Sequence, residues 1–324
     1  MDVENIGALI YTPNNHEIMQ FKSDSMELFQ EIEDYWMKKE GLIFYPFDPS
    51  KQAFFFGKEP TPNPVSEYDL TPNDALSKLE YETSVFMAKQ AISAGEIQKV
   101  VLARNELISK DFSPLTAFQN AVKKYPSSYG YYVDIGPEQW VGASPELLVN
   151  YEDEILHTVA LAGTRSLEEE FTAKEYQEQQ LVCDFIEEVF ASVELNDFQK
   201  SSTTEEAFSM IKHLKTSYAV ACSADEALQL LKKLQPTPAV CGLPRDSSFE
   251  FIQGLETMNR SFYSGVTGIL SKSSATFFVN LRCMRFYNDT IELFAGAGIT
   301  ADSEPTAEWE ETEKKIHTIK DLLS

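Results

Sequence analysis

The chain is poor in the residues that several functional classes require. Lys and Arg number 27 against 51 Asp and Glu in 324 residues, a formal net charge of −24. Such a chain offers no basic surface for gripping a nucleic-acid backbone. Long apolar runs are missing too. No segment approaches the roughly 18 apolar residues of a membrane helix, and the opening MDVENIGALIYTPNNHEIMQ lacks a basic start. These features predict a soluble, cytoplasmic protein that engages neither nucleic acid nor membrane. Cysteine is limited to Cys183, Cys222, Cys241 and Cys283, without CxxC spacing, so a disulfide framework and a zinc site are both disfavoured. Histidine is equally sparse, at His16, His157, His213 and His317, which excludes a histidine-rich metal centre.

What is present suits a folded enzyme-sized body. Hydrophobic residues make up 43% of the chain and aromatics 12%, enough to fill one large or two ordinary cores. The excess of carboxylates repels anions, so an anionic ligand would require a metal ion or a local cluster of Arg and Lys.

Helical spacing runs over 26–39, 75–94, 114–124, 172–193, 224–234, 246–256 and 306–322. Strand patterns cover 96–108, 129–135, 138–142, 146–151, 154–162, 207–222, 260–270, 275–287 and 290–295. Many strands follow one another without an intervening helix, which predicts an α+β fold with large mixed or antiparallel sheets. Residues 41–74 show no clear period, and the Pro/Asn stretch near 59–73 is the one candidate domain seam.

Several residues carry possible chemistry. Alternation places Lys99 on the face of Ile97, Val101 and Ala103; covered there, its amine would lose charge and act as a base, whereas at an edge it would reach water. Glu146, in Gly142-Ala-Ser-Pro-Glu-Leu-Leu148, is either a buried proton donor or a solvated turn residue. Glu175 and Glu178 share a helix face, as do Glu308 and Glu311; the pairs suit one hard divalent cation or simply complement helix starts, with Thr172 and Glu175 as a capping box. Arg282 lies in an apolar strand, where a guanidinium wants a carboxylate partner. The glycines of Ala295-Gly-Ala-Gly-Ile299 could bring backbone N–H groups to a carboxylate but match no nucleotide-binding loop.

Six motifs in order, Lys99-Val-Val-Leu-Ala-Arg104, Gly142 to Leu148, Ala160-Leu-Ala-Gly-Thr-Arg165, Gln235-Pro-Thr-Pro-Ala-Val-Cys-Gly-Leu-Pro244, Leu293 to Ile299 and Glu308-Trp-Glu-Glu-Thr312, resemble those of chorismate-utilising enzymes, and of isochorismate synthases in particular. The resemblance implies one chorismate-binding catalytic domain over 1–324, with the motifs within 75–324 and residues 1–74 as short elements of the same domain. It implies two large sheets packed face to face with helices outside, and an Mg²⁺-dependent isomerase that turns chorismate into isochorismate. Lys99 corresponds to the base that activates water for attack at C2, and Glu146 to the acid that assists departure of the C4 hydroxyl. Glu178 and Glu311 correspond to the Mg²⁺ ligands, with Glu175 and Glu308 bound through water. Arg282 and the Gly296 region match the positions that hold substrate carboxylate. His213, Gly163 and Thr164 match those that line the ring, and Lys315 the lysine that closes the site. A monomer is expected.

The same family holds enzymes that deliver nitrogen. In the aminodeoxychorismate type a lysine stands at the position of Ala162, and in the anthranilate type the position of Lys99 carries no lysine. Water is therefore the implied nucleophile. Salicylate synthases share the lysine and the acid and go on to eliminate pyruvate; they are the alternative activity, and a non-catalytic homologue is the alternative from another class. Isochorismate feeds menaquinone as well as siderophores, and the Pro236-Thr-Pro-Ala-Val240 run leans to menaquinone. Cys241 departs from the glycine or serine common at its position.

Overall fold

A computed structural model describes the chain except residues 1–4, 14–15, 63–64, 66–71, 110 and 209–210. The expected seam near 59–73 thus lies largely outside the described residues. The chain opens with strands β1 (Ile6–Thr12), β2 (Glu17–Lys22), β3 (Met26–Phe29), β4 (Gly41–Tyr45) and β5 (Ala53–Gly57). Helix α1 (Lys78–Ser93) leads into the long β6 (Lys99–Ser109), then α2 (Pro114–Lys124). Four strands follow: β7 (Tyr129–Asp134), β8 (Glu138–Ser144), β9 (Leu147–Glu152) and β10 (Ile155–Ser166). After α3 (Ala173–Ala191) come β11 (Phe198–Lys200), β12 (Thr204–Phe208) and β13 (Ile211–Ala221), then α4 (Ala224–Leu234), β14 (Gly242–Leu243) and α5 (Arg245–Leu255). The last stretch is β15 (Val266–Leu270), β16 (Ala275–Val279), β17 (Cys283–Tyr287), β18 (Thr290–Ile299) and α6 (Pro305–Lys320).

The strands form two antiparallel sheets. One has the order β14-β6-β18-β17-β8-β7-β1-β2; the other runs β11-β13-β10-β9-β16-β15-β4-β5-β3, with β12 also paired to β13. Their facing sides interlock through aromatics such as Phe44, Phe54, Tyr131, Trp140 and Phe294, with Phe44 stacked on Phe262 at 4.2 Å between ring centres. Apolar side chains of α3 and α4, including Val182, Ile186 and Leu230, cover the outer side of the second sheet. On the first sheet, Phe118 of α2 and Ile316 of α6 pack against Leu293, and Tyr81 and Val85 of α1 against Val100 and Leu102. The result is the α+β sandwich of sheets with helices outside. Strands β1 and β2 belong to the first sheet and β3 to β5 to the second, so the N-terminal residues are integral to both.

Several segments differ from the sequence expectation: the strand expected at 207–222 is the pair β12 and β13, that at 260–270 begins only at Val266, and 41–57 holds β4 and β5. Residues 26–39 are not a helix: Met26–Phe29 pair with Ala53–Phe56 as β3 and a short 3-10 turn follows at Ile32–Asp34. Met26 and Phe29, three apart, have helical spacing, but edge pairing with β5 overrides it. The apolar run 275–287 is two strands in different sheets, broken at Asn280–Arg282. Ile97 precedes β6 and packs in the cluster of Val85 and Val100.

Candidate active site

Crossings of the chain between the two sheets build the site. β8 of the first sheet continues through Pro145 and Glu146 into β9 of the second, and β16 of the second returns through Asn280, Leu281 and Arg282 into β17 of the first. The crossings are tied together. Ser144 Oγ donates to the Val279 carbonyl at 2.6 Å, the Val279 N–H to the Glu146 carbonyl at 3.0 Å, and the Ala143 N–H to the Arg282 carbonyl at 3.2 Å. Arg282 takes a left-handed conformation with φ 51°, a cost accepted where surrounding bonds over-determine the backbone. Asn280 supplies such bonds, donating to the Phe262 carbonyl at 2.8 Å and accepting from the Tyr131 hydroxyl at 2.6 Å.

A cavity opens beside these crossings. Lys99 at the start of β6, Gly163 and Thr164 on β10, Glu178 on α3, His213 on β13, Gly296 on β18, and Glu311 and Lys315 on α6 line it together with Glu146 and Arg282. Tyr263, Phe294, Ala162, Ala239 and Val240 complete much of the wall. Residues up to 216 positions apart in sequence thus meet in one place.

Its electrostatics are set by burial. Lys99 is 2% exposed, and desolvation pulls its amine below the usual range, against the pull of the Glu178 carboxylate. Glu146 is 4% exposed; burial raises its carboxyl to about 7, although Lys99, Lys315 and Arg282 oppose this. His213 is held neutral by burial and by the adjacent Arg282. Its bonds agree: Arg282 donates to Nε2 at 3.0 Å, so the proton sits on Nδ1, which donates to the Gly163 carbonyl at 3.1 Å. Arg282 also donates to Thr318 Oγ1 at 3.1 Å, and burial lowers its guanidinium only to about 10, leaving it cationic. Lys315 donates to the Gly296 carbonyl at 2.8 Å and to Glu311 at 2.7 Å. Arg282 and Lys315 place positive charge in the cavity, which meets the need set by a chain of charge −24.

Two helices bring in the carboxylates. Gly163, at φ +67°, would place a Cβ only 2.9 Å from that of Glu175, so glycine lets the first turn of α3 close onto the irregularity between Ala162 and Thr164. Gln179 fastens the contact: its amide nitrogen donates to the Ala160 carbonyl at 3.1 Å and Thr216 Oγ1 at 3.0 Å, and its oxygen accepts from the Ala162 N–H at 2.9 Å. On α6, Arg104 packs over the Trp309 ring at 3.8 Å and donates to Thr312 Oγ1 at 2.6 Å. Gln179 and Tyr263 escaped the sequence reading, since a lone amide in a helix and a tyrosine among aromatics have no pattern of their own.

Not every expected ligand reaches the cavity wall. Glu175 closes the capping box, accepting from the Thr172 N–H at 2.8 Å and hydroxyl at 2.7 Å, and pairs with Arg165 at 3.0 Å. Glu308 is bound by Lys174 at 2.8 Å. Both lie by the adjoining surface cleft, which Glu311 and Thr164 also line. Among the described residues no three His, Cys, Asp or Glu side chains form a metal cage. Two hard carboxylates, Glu178 and Glu311, do line the cavity. Burial raises the Glu178 carboxyl, Lys99 opposes this, and Glu311 and Glu308 add to it. That donor set fits Mg²⁺, which binds through one or two carboxylates and keeps waters for the rest of its shell.

Residues 47–324 match the family described as chorismate binding enzyme. The chain belongs to this family. Isochorismate synthase MenF of Escherichia coli (strain K12) is 32% identical over 253 residues, 73% of this chain and 58% of that protein, so the chain spans little more than half of that relative. Anthranilate synthase component 1 of Aeropyrum pernix is 31% identical over 305 residues, covering 88% of this chain and 70% of that one. Isochorismate synthase EntC of Escherichia coli (strain K12) is 28% identical over 336 residues, 94% of this chain and 86% of its own. The solved structure of Escherichia coli MenF superposes with a TM-score of 0.83 at 22% identity, over 98% of this chain and 88% of that one. The chain thus shares its fold with an isochorismate synthase, and its relatives carry the names of both isochorismate synthases and anthranilate synthase component 1. Within the described residues, no helix is long and apolar enough to cross a membrane.

Proposed function

We propose that this protein is an isochorismate synthase, converting chorismate to isochorismate by adding water at C2 and releasing the C4 hydroxyl. The observation that carries the reading is the pairing of Lys99 and Glu146 in one cavity, where burial favours the neutral amine and the neutral acid together. A neutral Lys99 takes a proton from water as its oxygen attacks C2. Neutral Glu146 gives its proton to the departing C4 hydroxyl, which leaves as water while the ring double bond moves, so one water enters and one leaves. Ala162 on the wall offers no amine to compete. Glu178 and Glu311 hold Mg²⁺ in this reading, and the ion supplies positive charge to a substrate carboxylate. Arg282, oriented by His213 and Thr318, and the backbone at Gly296 receive carboxylate. Residues 1–324 act as one catalytic domain, a reading supported by the N-terminal strands in both sheets.

Incubation with chorismate, with and without Mg²⁺, tests this. Isochorismate formed only with Mg²⁺, identified by chromatography and mass, is expected. Salicylate with pyruvate, or anthranilate on adding ammonia, would overturn it.

A further inference from the structure

Thr237 follows α4 in the turn that leads to β14. Its carbonyl accepts from the Val240 and Cys241 N–H groups at 3.0 and 2.9 Å, which fixes the backbone. The residue is 9% exposed, and its hydroxyl oxygen is fully buried with no hydrogen-bond partner among the described atoms. Buried hydroxyls are rarely left so, because an unmade bond costs the whole desolvation of the group. The neighbouring acceptor is the Glu146 carboxyl, whose proton affinity the Thr237 hydroxyl lowers. Other polar groups near this carboxyl have different roles: Ser144 Oγ is bound to the Val279 carbonyl and the Glu146 N–H. Lys99 from β6, Lys315 from α6 and Arg282 from the crossing act on it as charges. Two and three residues further on, Ala239 and Val240 line the cavity together with Glu146, so the Thr237 turn leads directly into its wall.

We propose that Thr237 is a positioning residue for Glu146: its hydroxyl holds one carboxyl oxygen, leaving the other, proton-bearing oxygen turned to the cavity. The proton then stands on the oxygen that faces the leaving group, and the carboxylate left after transfer is stabilised by the same donor. This rests on the reading of Glu146 as the acid.

The test uses ligand-free protein. The carboxyl stretch of Glu146 is isolated by infrared difference against Glu146→Gln and followed from about pH 5 to 9, a range around the value expected for a buried carboxyl. Thr237→Val keeps the shape and removes the donor; its midpoint is expected to move to higher pH. Its kcat is expected to fall roughly tenfold with KM near the parent value, the loss of one hydrogen bond to a charged group. Thr237→Ser, which keeps the hydroxyl, should restore both. Thr237→Ala serves as the second deletion if the valine variant does not fold. An unchanged midpoint in a folded deletion variant overturns the proposal, as does a serine variant that behaves like valine. The infrared result needs no turnover, so a chorismate assay giving another product would count against the proposed activity and not against this contact.

Discussion

Gly298 stands against the head of Lys99: a Cβ on Gly298 would lie 3.0 Å from Lys99 Cε, 3.5 Å from Nζ and 3.7 Å from a carboxylate oxygen of Glu178. The glycine therefore leaves the space in which the Lys99 amine and the Glu178 carboxylate sit side by side. Gly298→Ala should push the amine aside without disturbing the sheet, since β18 is an ordinary strand there. Activity is expected to drop on the order of 10²-fold, the scale of a misplacement near 1 Å, with the thermal midpoint almost unchanged. A variant as active as the parent would show that Lys99 has room to spare and that its position is not critical.

Removing the amine separates chemistry from binding. Lys99→Ala should abolish isochorismate formation, by at least about 10²–10⁴-fold for loss of a positioned base, while calorimetry with Mg²⁺ and chorismate gives near-parent affinities. Full turnover in this variant would refute the role of Lys99.

Much of this arrangement is legible in the sequence, for reasons that differ by element. α2 and α4 were readable because apolar spacing and caps agree: Pro114 opens the first, and Ser223 with Glu226 forms a capping box on the second. Helix 26–39 misleads because its spacing is genuine and only the non-local partner β5 decides the outcome. The crossing at Arg282 was hidden in a continuous apolar run, since nothing in Phe277-Phe-Val-Asn-Leu-Arg-Cys283 marks a change of sheet. For the site, the motif residues Lys99, Glu146, Glu178, Glu311 and Arg282 do meet at one cavity, yet spacing alone left each with a structural alternative. For Glu175 the alternative describes its contacts: the capping box is present. Burial decides such cases, and burial is a property of the tertiary fold.

The two acidic pairs should separate by experiment. Glu311→Ala removes a cavity carboxylate and the 2.7 Å partner of Lys315, so the Mg²⁺ concentration for half-maximal activity should rise at least about tenfold, equivalent to about 1.4 kcal/mol. Glu175→Ala removes a cap instead and should leave the Mg²⁺ titration where it is. Its cost should appear as about 1 kcal/mol of stability, read by denaturant unfolding. Equal Mg²⁺ responses in the two variants would contradict this division.

Burial of Glu146 ties activity and stability to pH in opposite parts of one titration. In the folded protein the carboxyl is raised to about 7, whereas in the unfolded chain it titrates near 4.3. Between those values the folded state binds more protons, so this group's contribution to stability falls as pH rises, reaching a constant penalty on the order of 3 kcal/mol above the folded value. Glu146→Gln, which cannot ionise, should be no more stable than the parent at pH about 4 and increasingly more stable up to pH about 7. Activity follows the same proton: an acid must be neutral to donate, so the parent's kcat/KM should decline as pH rises through about 7. Thermal unfolding of both proteins across this range, beside the parent's pH–rate profile, checks the two effects together. A stability difference that does not change with pH would mean that Glu146 ionises normally in its crossing and lacks the proton that the proposed reaction requires.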